Sequence, residues 1–240
     1  MKPSSTIEAS IEHTSIGRIA VPPHVPPGFR LFYTTADFPG RITQELLDLV
    51  GVPLATCHQV HGAEVHRVRA GDDRSKHDDR LKPVLTQEPE CDALWTDQRP
   101  MAIGIKVADC LPVTVIDTKN HLLANIHSGW RGTVQNITSK TLHAVPLDPP
   151  HTIAWLGPAI RVCCFEVGEE VAAKFDERWI DRTLGPKPHV DTVAIPADVL
   201  RTRGIARIVD TGLCTRCEGS IFHSYRRDKQ GGRNLAIVAQ

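Results

Sequence analysis

Three side chains that can bind a metal or act as nucleophiles stand at the ends of apolar stretches, next to glycine or proline. Cys110 ends "MAIGIKVADC" and precedes Leu111-Pro112, His61 lies in "QVHG", and His127 lies in "NIHSGWRG". Functional groups concentrate at such strand ends and turns. Two His and one Cys form a recognised ligand set for catalytic zinc, because they leave a fourth position for water, and imidazole and thiolate suit Zn²⁺ by their softness. The three residues therefore predict a zinc site that makes its bound water acidic.

The same residues allow other interpretations, because no compact motif joins them along the chain. Cysteine is among the residue types most often buried, so Cys110 is also compatible with a plain core position. His127 could instead cap a helix that begins at Gly132. His58 and His66 flank His61 and are alternative ligands, although their neighbours predict surface positions for both.

The remaining cysteines do not show a metal-binding spacing. Cys163 and Cys164 are adjacent, and on a strand they would point to opposite faces, so we expect one in the core and one at the surface. Cys214 and Cys217 form a single C-x-x-C without a second pair, which predicts a turn with free thiols. Seven cysteines without a small-scaffold spacing indicate a reduced, cytoplasmic protein.

Arginines near these motifs are candidates for binding an anion, since Arg binds phosphate bidentately. Arg131 follows His127 by four residues and lies between Gly129 and Gly132, which favours a place at the site. Arg226 and Arg227, in "SYRRDKQGGR", are compatible with either a solvated turn or an anion clamp.

Composition sets the frame for these sites. The chain has 240 residues, is 41% hydrophobic, and carries 28 basic and 28 acidic residues. A balanced charge predicts no nucleic-acid or membrane partner, and no apolar run approaches the roughly 20 residues of a membrane span. Nothing in the composition specifies an oligomeric state.

The chain divides into two regions. Residues 1–27 are polar and rich in proline, which predicts an irregular arm, and residues 28–240 predict one catalytic domain. Within that domain, residues 71–90 predict an exposed loop.

Apolar periodicity predicts the elements that position the candidate residues. "FRLFYTT", "HTIAWLGPAI", "ARIVDTG" and "RNLAIVAQ" are typical of strands, and "LATCHQVHGAEVHRV" of a strand, a turn and a second strand. "RITQELLDLVGV" predicts a helix ended by Gly51, and three further helices are predicted in "GTVQNITSKTLHAV", "GEEVAAKFDERWI" and "IPADVLRTRGI". This mixture favours α/β layers around a mixed sheet.

The order of the motifs resembles a known family. "QVHG", "DALWTD", "VADCLP", "HSGWRG", "GPAI..CCFEVGEEV" and "FHSYRRD...GR" occur over residues 53–240 as in the proteins once called multicopper polyphenol oxidases or laccase-domain proteins. That family is described as zinc-dependent purine nucleoside phosphorylases with adenosine deaminase activity. The resemblance implies His61, Cys110 and His127 as metal ligands.

The resemblance also implies a substrate class and a fold. Purine nucleosides and phosphate are the expected substrates: adenosine and inosine, with guanosine and methylthioadenosine as further candidates. Gln59, Arg131 and Arg226 are the candidate substrate-binding residues. The implied fold is a single compact α/β (α+β) domain with a mixed β-sheet flanked by helices, like the cytotoxic-necrotizing-factor-like cysteine hydrolases.

Two features of the chain differ from what the family's pattern or old name suggests. Near the N-terminus "FYTTADFPGRITQ" replaces the family's "TTR-GG-V-S" region, so that Ala36 stands where an Arg is usual and Arg41 is a loose substitute; we expect this region to help close the substrate pocket. Twelve His without one H-x-H pair, and a Cys110 flanked by Asp and Leu, exclude a multicopper site on ligand count, so zinc is preferred to copper.

Two alternatives to the phosphorylase remain open from the sequence. Cys110 could be the nucleophile and His127 its base in a thiol hydrolase that needs no metal. The chain could also be a zinc-stabilised binding protein that lacks activity. Metal content separates the first alternative from the phosphorylase, and turnover of adenosine separates the second from both.

Overall fold

The computed structural model describes residues 9–69, 88–229 and 231–240. The exposed loop predicted at residues 71–90 falls outside the described residues, except for residues 88–90. The described strands are β1 (Ser10–Thr14), β2 (Gly17–Val21), β3 (Arg30–Thr34), β4 (Leu54–Ala55), β5 (Val65–Arg67), β6 (Ala93–Thr96), β7 (Ala102–Val107), β8 (Leu111–Asp117), β9 (Leu122–Ser128), β10 (Thr152–Leu156), β11 (Ile180–Asp181), β12 (His189–Val190), β13 (Arg207–Asp210) and β14 (Asn234–Ala239). The described α-helices are α1 (Gln44–Val50), α2 (Trp130–Val134), α3 (Ile137–Ala144), α4 (Glu169–Ala172), α5 (Ala194–Thr202) and α6 (Tyr225–Asp228).

Twelve of these strands form two six-stranded sheets. The first sheet has the order β1-β2-β3-β14-β7-β4, and the second has the order β13-β10-β8-β9-β6-β5. Most neighbours are antiparallel, but β4 runs parallel to β7, β13 to β10, and β5 to β6. Both sheets are therefore mixed, which confirms the predicted α/β class, although the chain builds two mixed sheets where one was expected.

Strand alternation explains why two sheets form. On β14, Ala236 and Val238 belong to the core shared by the two sheets, while Leu235 and Ile237 pack on the opposite face with α1. Successive side chains of a strand point to opposite faces, so a strand that is apolar at every position must be covered on both sides. The inter-sheet core also contains Trp155 of β10.

Helices cover the outer faces of both sheets. Helix α1 begins after Thr43, whose hydroxyl accepts the Leu46 N–H, and ends at the predicted residue, Gly51, with φ 70°. It packs on the first sheet, and α3 and α5 pack on the second through residues that include Leu142 and Leu200. The layers are thus helix, sheet, sheet and helix in a single domain.

The expected irregular arm is wrong for residues 10–21. Strands β1 and β2 form an antiparallel hairpin that closes at Thr14 and Gly17 and joins the first sheet through β3. Gly17 takes a φ of +99°, which the turn requires and which glycine adopts without steric cost. Residues 22–27 form turns without regular structure.

Two predicted helices are shorter than expected. "GTVQNITSKTLHAV" is interrupted by Asn136 in the left-handed region, at φ 63°, which separates α2 from α3. "GEEVAAKFDERWI" contains only the four-residue helix α4 and a 3₁₀ turn at Glu177–Trp179. Among the described residues no helix is long and apolar enough to cross a bilayer.

Candidate metal centre

The structure brings together the three residues predicted to bind a metal. One ligand atom from each of His61, Cys110 and His127 lies within 4.8 Å of the other two. His127 is the penultimate residue of β9, and Cys110 lies in the bend between β7 and β8. His61 lies in the segment between β4 and β5, which belong to different sheets, so the predicted strand-turn-strand is a crossing between sheets.

The backbone around the centre takes conformations that cost free energy. His61 and Asp109 have φ values of 59° and 81°, in the left-handed region that non-glycine residues adopt infrequently. A Cβ on Gly129 would lie 2.9 Å from the Cys110 Sγ, so only glycine leaves room for the sulfur. The two left-handed residues and Gly129 all lie next to the metal centre, where they position the Cys and His side chains.

Asp92 organises both histidines and was not singled out in the sequence. Its carboxylate accepts a 2.7 Å hydrogen bond from the His127 Nδ1 and further bonds from the N–H groups of Val60, His61 and Gly62. The His127 Nε2 is thus the nitrogen left for a metal. The sequence did contain a signal that could have identified Asp92. It is the first residue of "DALWTD", a carboxylate directly before the residues that form the buried strand β6.

Charge at the centre is redistributed between Cys110 and His127. Burial alone would raise the pKa of the Cys110 thiol, but His127 and His61 outweigh it and lower that pKa to about 6. Burial likewise acts to lower the pKa of His127, and the Cys110 and Asp92 anions overcome it and raise the pKa to about 9. Near neutral pH the pair is a thiolate beside an imidazolium.

The donor set fits a zinc-like ion with an open position. Two imidazoles and a thiolate are three ligands of the type that catalytic zinc sites use. A carboxylate behind a ligating histidine is the usual outer partner, since it fixes the ring and makes it more basic. Asp92 has this relation to His127.

A cavity of about 730 Å³ opens at the metal centre. Among the described residues, its wall carries five cationic side chains and three aromatic ones. They are Lys106, Arg131, Arg226, Lys229, Arg233, Trp130, Phe165 and Tyr225. His58, predicted at the surface, is exposed and also lines the cavity.

The two arginines predicted to bind an anion both reach this cavity but are held differently. Arg131 is exposed and stacks over the ring of Trp130, with 4.4 Å between the guanidinium carbon and the ring centroid. Arg226 donates from Nη1 to the Glu166 carbonyl at 2.7 Å and lies over the Phe165 ring. Arg227 donates to the carbonyls of Thr215 and Phe222, so it braces the chain and is not part of the wall.

Gln59 and Asp109 line the cavity, yet their polar atoms are engaged within the protein. The Gln59 side chain donates to the Lys106 carbonyl at 2.7 Å and accepts from the Lys106 N–H at 2.8 Å. Asp109 accepts 2.6 Å bonds from the Thr215 hydroxyl and from the Arg226 N–H. These contacts hold the "QVHG" segment on β7 and hold α6 beside the metal centre.

The N-terminal segment that departs from the family pattern contacts the cavity wall from behind. The described residues that line the cavity do not include Arg41 or Ala36. Gly40, at φ +74°, packs against the backbone of Arg233, where a Cβ would lie 2.6 Å from the nitrogen. The segment therefore supports Arg233, which faces the cavity.

A second group of possible ligands lies apart from this centre. The sulfurs of Cys163, Cys164, Cys214 and Cys217 lie within 4.8 Å of one another, and we call these four residues the four-cysteine cluster. As expected, Cys164 is buried and Cys163 is exposed, but the two residues lie in a turn and not on a strand, so their sulfurs are only 3.7 Å apart and can share a site. The C-x-x-C also has a second pair, which comes from that turn.

Comparisons with known proteins agree with the motif order. Residues 39–240 match the model of the family described as multi-copper polyphenol oxidoreductase laccase, and the chain belongs to that family. A purine nucleoside phosphorylase of Xylella fastidiosa (strain 9a5c) is 32% identical over 210 residues, which cover 82% of this chain and 77% of that protein. The adenosine deaminase RL5 of an unknown prokaryotic organism is 32% identical over 167 residues, 62% of this chain and 64% of that one.

A solved structure confirms the fold. The Neisseria meningitidis protein NMB0706 superposes with a TM-score of 0.79 at 25% identity, covering 92% of this chain and 98% of that one. The predicted family and α/β class are therefore confirmed, while the likeness to cytotoxic necrotizing factor stays a prediction. The names of the relatives support an enzyme activity on purine nucleosides in this family.

Proposed function

We propose that this chain is a zinc-dependent purine nucleoside phosphorylase that also deaminates adenosine. The observation that carries the proposal is one cavity that combines the His61, Cys110 and His127 donor set with cationic and aromatic side chains. Each reaction needs a different part of that cavity.

His61, Cys110 and His127 would hold the metal, and Asp92 would hold His127 for it. A zinc ion bound there supplies a Lewis acid and lowers the pKa of a water molecule in its open position. The thiolate of Cys110 is available without the loss of a proton near neutral pH, since its pKa is lowered to about 6.

The wall supplies what phosphorolysis requires. Phosphate attacks the sugar carbon of the glycosidic bond, and the purine leaves with the bonding electrons and takes up a proton. Cationic side chains bind the phosphate. Among the arginines of the wall, Arg131 is the best placed, because its described guanidinium contact is with the Trp130 ring, whereas Arg226 and Arg233 donate to backbone carbonyls. Tyr225 is exposed and offers a face against which a purine ring can stack, while Trp130 and Phe165 each already have a guanidinium, that of Arg131 or Arg226, over the ring. Adenosine and inosine are the first substrates to test, followed by guanosine and methylthioadenosine.

Deamination replaces the amino group of the purine with the oxygen of water and requires a group that moves protons. Asp109 is engaged by Thr215 and Arg226, and Glu88 by Thr56 and Lys106. Among the acidic and imidazole groups on the wall outside the metal ligands, His58 is therefore our candidate.

Chromatography of adenosine and inosine incubated with the zinc-loaded chain tests the proposal. With phosphate, both nucleosides should be cleaved to the base and a sugar phosphate; without phosphate, adenosine should be converted only to inosine. Cys110→Ala should abolish both reactions. A zinc-loaded chain that turns over neither nucleoside would overturn the proposal and favour the zinc-stabilised binding protein.

A thiol hydrolase is the second candidate, and the Cys110, His127 and Asp92 side chains favour it. A thiolate beside an imidazolium that a carboxylate orients is the arrangement of thiol nucleophiles. A chain purified without zinc whose Cys110 is alkylated rapidly near neutral pH would support this candidate. About one zinc ion at this centre, with an alkylation-resistant Cys110, would exclude it.

A further inference from the structure

The four-cysteine cluster joins two turns that are far apart in the sequence. Cys163 and Cys164 lie in the turn that follows β10, and Cys214 and Cys217 lie in the turn that follows β13. Strands β10 and β13 are parallel neighbours, so their carboxyl ends meet at one edge of the second sheet. The Ala159 N–H donates to the Leu213 carbonyl, and the two turns therefore lie against each other.

The distances between the sulfurs match those of a tetrahedral metal site. The Cys163 Sγ lies 3.7 Å from that of Cys164, 3.8 Å from that of Cys214 and 3.9 Å from that of Cys217. The sulfurs of Cys164 and Cys217 are 3.4 Å apart. A zinc ion at about 2.3 Å from each of four sulfurs would separate them by about 3.8 Å. The geometry therefore points to a second metal site, and we propose that the four-cysteine cluster binds a structural zinc ion.

The surroundings of the cluster suit four thiolates that share one cation. Cys164 and Cys214 are buried in a small apolar core with Phe165, while Cys163 and Cys217 are exposed and leave a path for the ion to enter.

Four cysteines select the metal and its role. Thiolates are soft ligands, and a closed set of four without a position for water is the pattern of structural zinc. The His61, Cys110 and His127 set has only three ligands, so the two sites differ in chemistry as well as in place.

The second ion would fasten the wall of the cavity. The first turn is followed by Phe165, which lines the cavity, and the second contains Thr215, whose hydroxyl donates to Asp109. Asp109 in turn accepts the N–H of Arg226. Joining the two turns through a metal would therefore hold both Phe165 and Arg226 in place without touching the substrate.

Metal analysis of the purified full chain separates the two sites. We expect about two zinc ions per wild-type chain, about one in Cys110→Ala, about one in Cys214→Ser/Cys217→Ser, and none in the combined variant. Cys91→Ala, which removes a buried thiol outside both groups, is the matched control and should keep two. None of these counts depends on turnover, so failure here is distinct from failure of the proposed activity.

X-ray absorption of zinc in Cys110→Ala identifies the remaining ligands, even if the serine variants fail to fold. Four sulfur neighbours at about 2.3 Å are expected. A Cys110→Ala chain that folds but binds no zinc in reducing buffer would overturn the proposal. So would nitrogen or oxygen in the zinc shell, or a disulfide within the four-cysteine cluster of freshly purified wild-type protein.

Discussion

The carboxylate of Asp92 lies 2.7 Å from the Nδ1 of His127, and both side chains are buried. This bond sets which ring nitrogen faces Cys110, and the same carboxylate oxygen also accepts the backbone N–H of His61. One buried anion therefore positions two of the three metal ligands.

We expect Asp92→Asn to weaken zinc binding at this centre about tenfold to a hundredfold, the usual effect of losing an outer carboxylate. Asn keeps the size of the side chain but removes the charge that stabilises the His127 ring. Competition with a chelating dye measures the affinity, in chains that also carry Cys214→Ser/Cys217→Ser. Asp97→Asn is the control, because Asp97 belongs to the same "DALWTD" motif but pairs with Arg67. Equal affinities for the two variants would contradict the role of Asp92.

Cys110→Ala, His61→Ala and His127→Ala should each remove the zinc ion of the three-residue centre, because two ligands do not retain it against a chelator. Cys214→Ala and Cys217→Ala should leave that ion in place. His58→Ala is the closest control, since His58 lines the same cavity but lies outside the ligand group. Elemental analysis after dialysis against chelator gives the result, and stoichiometric zinc at this centre in Cys110→Ala would reject the ligand assignment.

Zinc affinity at this centre should rise with pH. Between about pH 6 and pH 9 the Cys110 thiolate is present but His127 holds a proton, which the metal must displace. The Cys110–His127 pair therefore contributes about a tenfold gain in affinity per pH unit in this window, a steeper dependence below it, and none above it. Calorimetry in buffers of different ionisation heat should detect that proton near pH 7.5. An affinity independent of pH from about 6.5 to 8.5 would contradict the charge assignment.

Arg131→Ala should depress phosphorolysis about tenfold or more, the effect of losing one charge-assisted contact of roughly 1.5–3 kcal/mol. Deamination needs no phosphate and should change less, and the melting temperature and bound zinc should stay close to wild type because Arg131 is exposed. Initial rates with inosine and with adenosine measure the two effects. Arg201→Ala, an exposed arginine on α5, is the control.

Arg226→Ala should behave differently, because Arg226 donates to the Glu166 carbonyl and covers Phe165. We expect it to lower both activities and the melting temperature together. If Arg131→Ala shows this pattern and Arg226→Ala affects only phosphorolysis, then Arg226 is the phosphate ligand and Arg131 is structural.

Gly129→Ala should reduce metal occupancy of the three-residue centre while α2 still forms. The backbone of Gly129, at φ −72°, accepts any residue, but a methyl group would lie 2.9 Å from the Cys110 Sγ and push it away. Zinc content and circular dichroism together check this expectation. Gly185→Ala, where the nearest atom is 3.4 Å away, is the control. Unchanged zinc in Gly129→Ala would show that the sulfur can move without losing the ion.

The sequence by itself determined the limits of helix α1 and the candidate metal ligands, because these depend on residue types and their near neighbours. Thr43 and Gly51 limit α1 because a hydroxyl and a left-handed residue satisfy helix ends wherever they occur. His61, Cys110 and His127 could be predicted as ligands from two kinds of signal. Each lies at the end of an apolar stretch with a Gly or Pro within two residues, and the order of the surrounding motifs resembles that of a known family.

Only the tertiary structure decided which distant side chains meet. The vicinal Cys163-Cys164 turn and the Cys214-x-x-Cys217 turn come together because β10 and β13 pair in parallel, and Asp92 reaches His127 because β6 lies beside β9. Many apolar strands could pair in either order, since their hydrogen bonds come from the backbone and their burial is nonspecific. Pairing order depends on how all the layers pack at once, and that information is not present in any single segment.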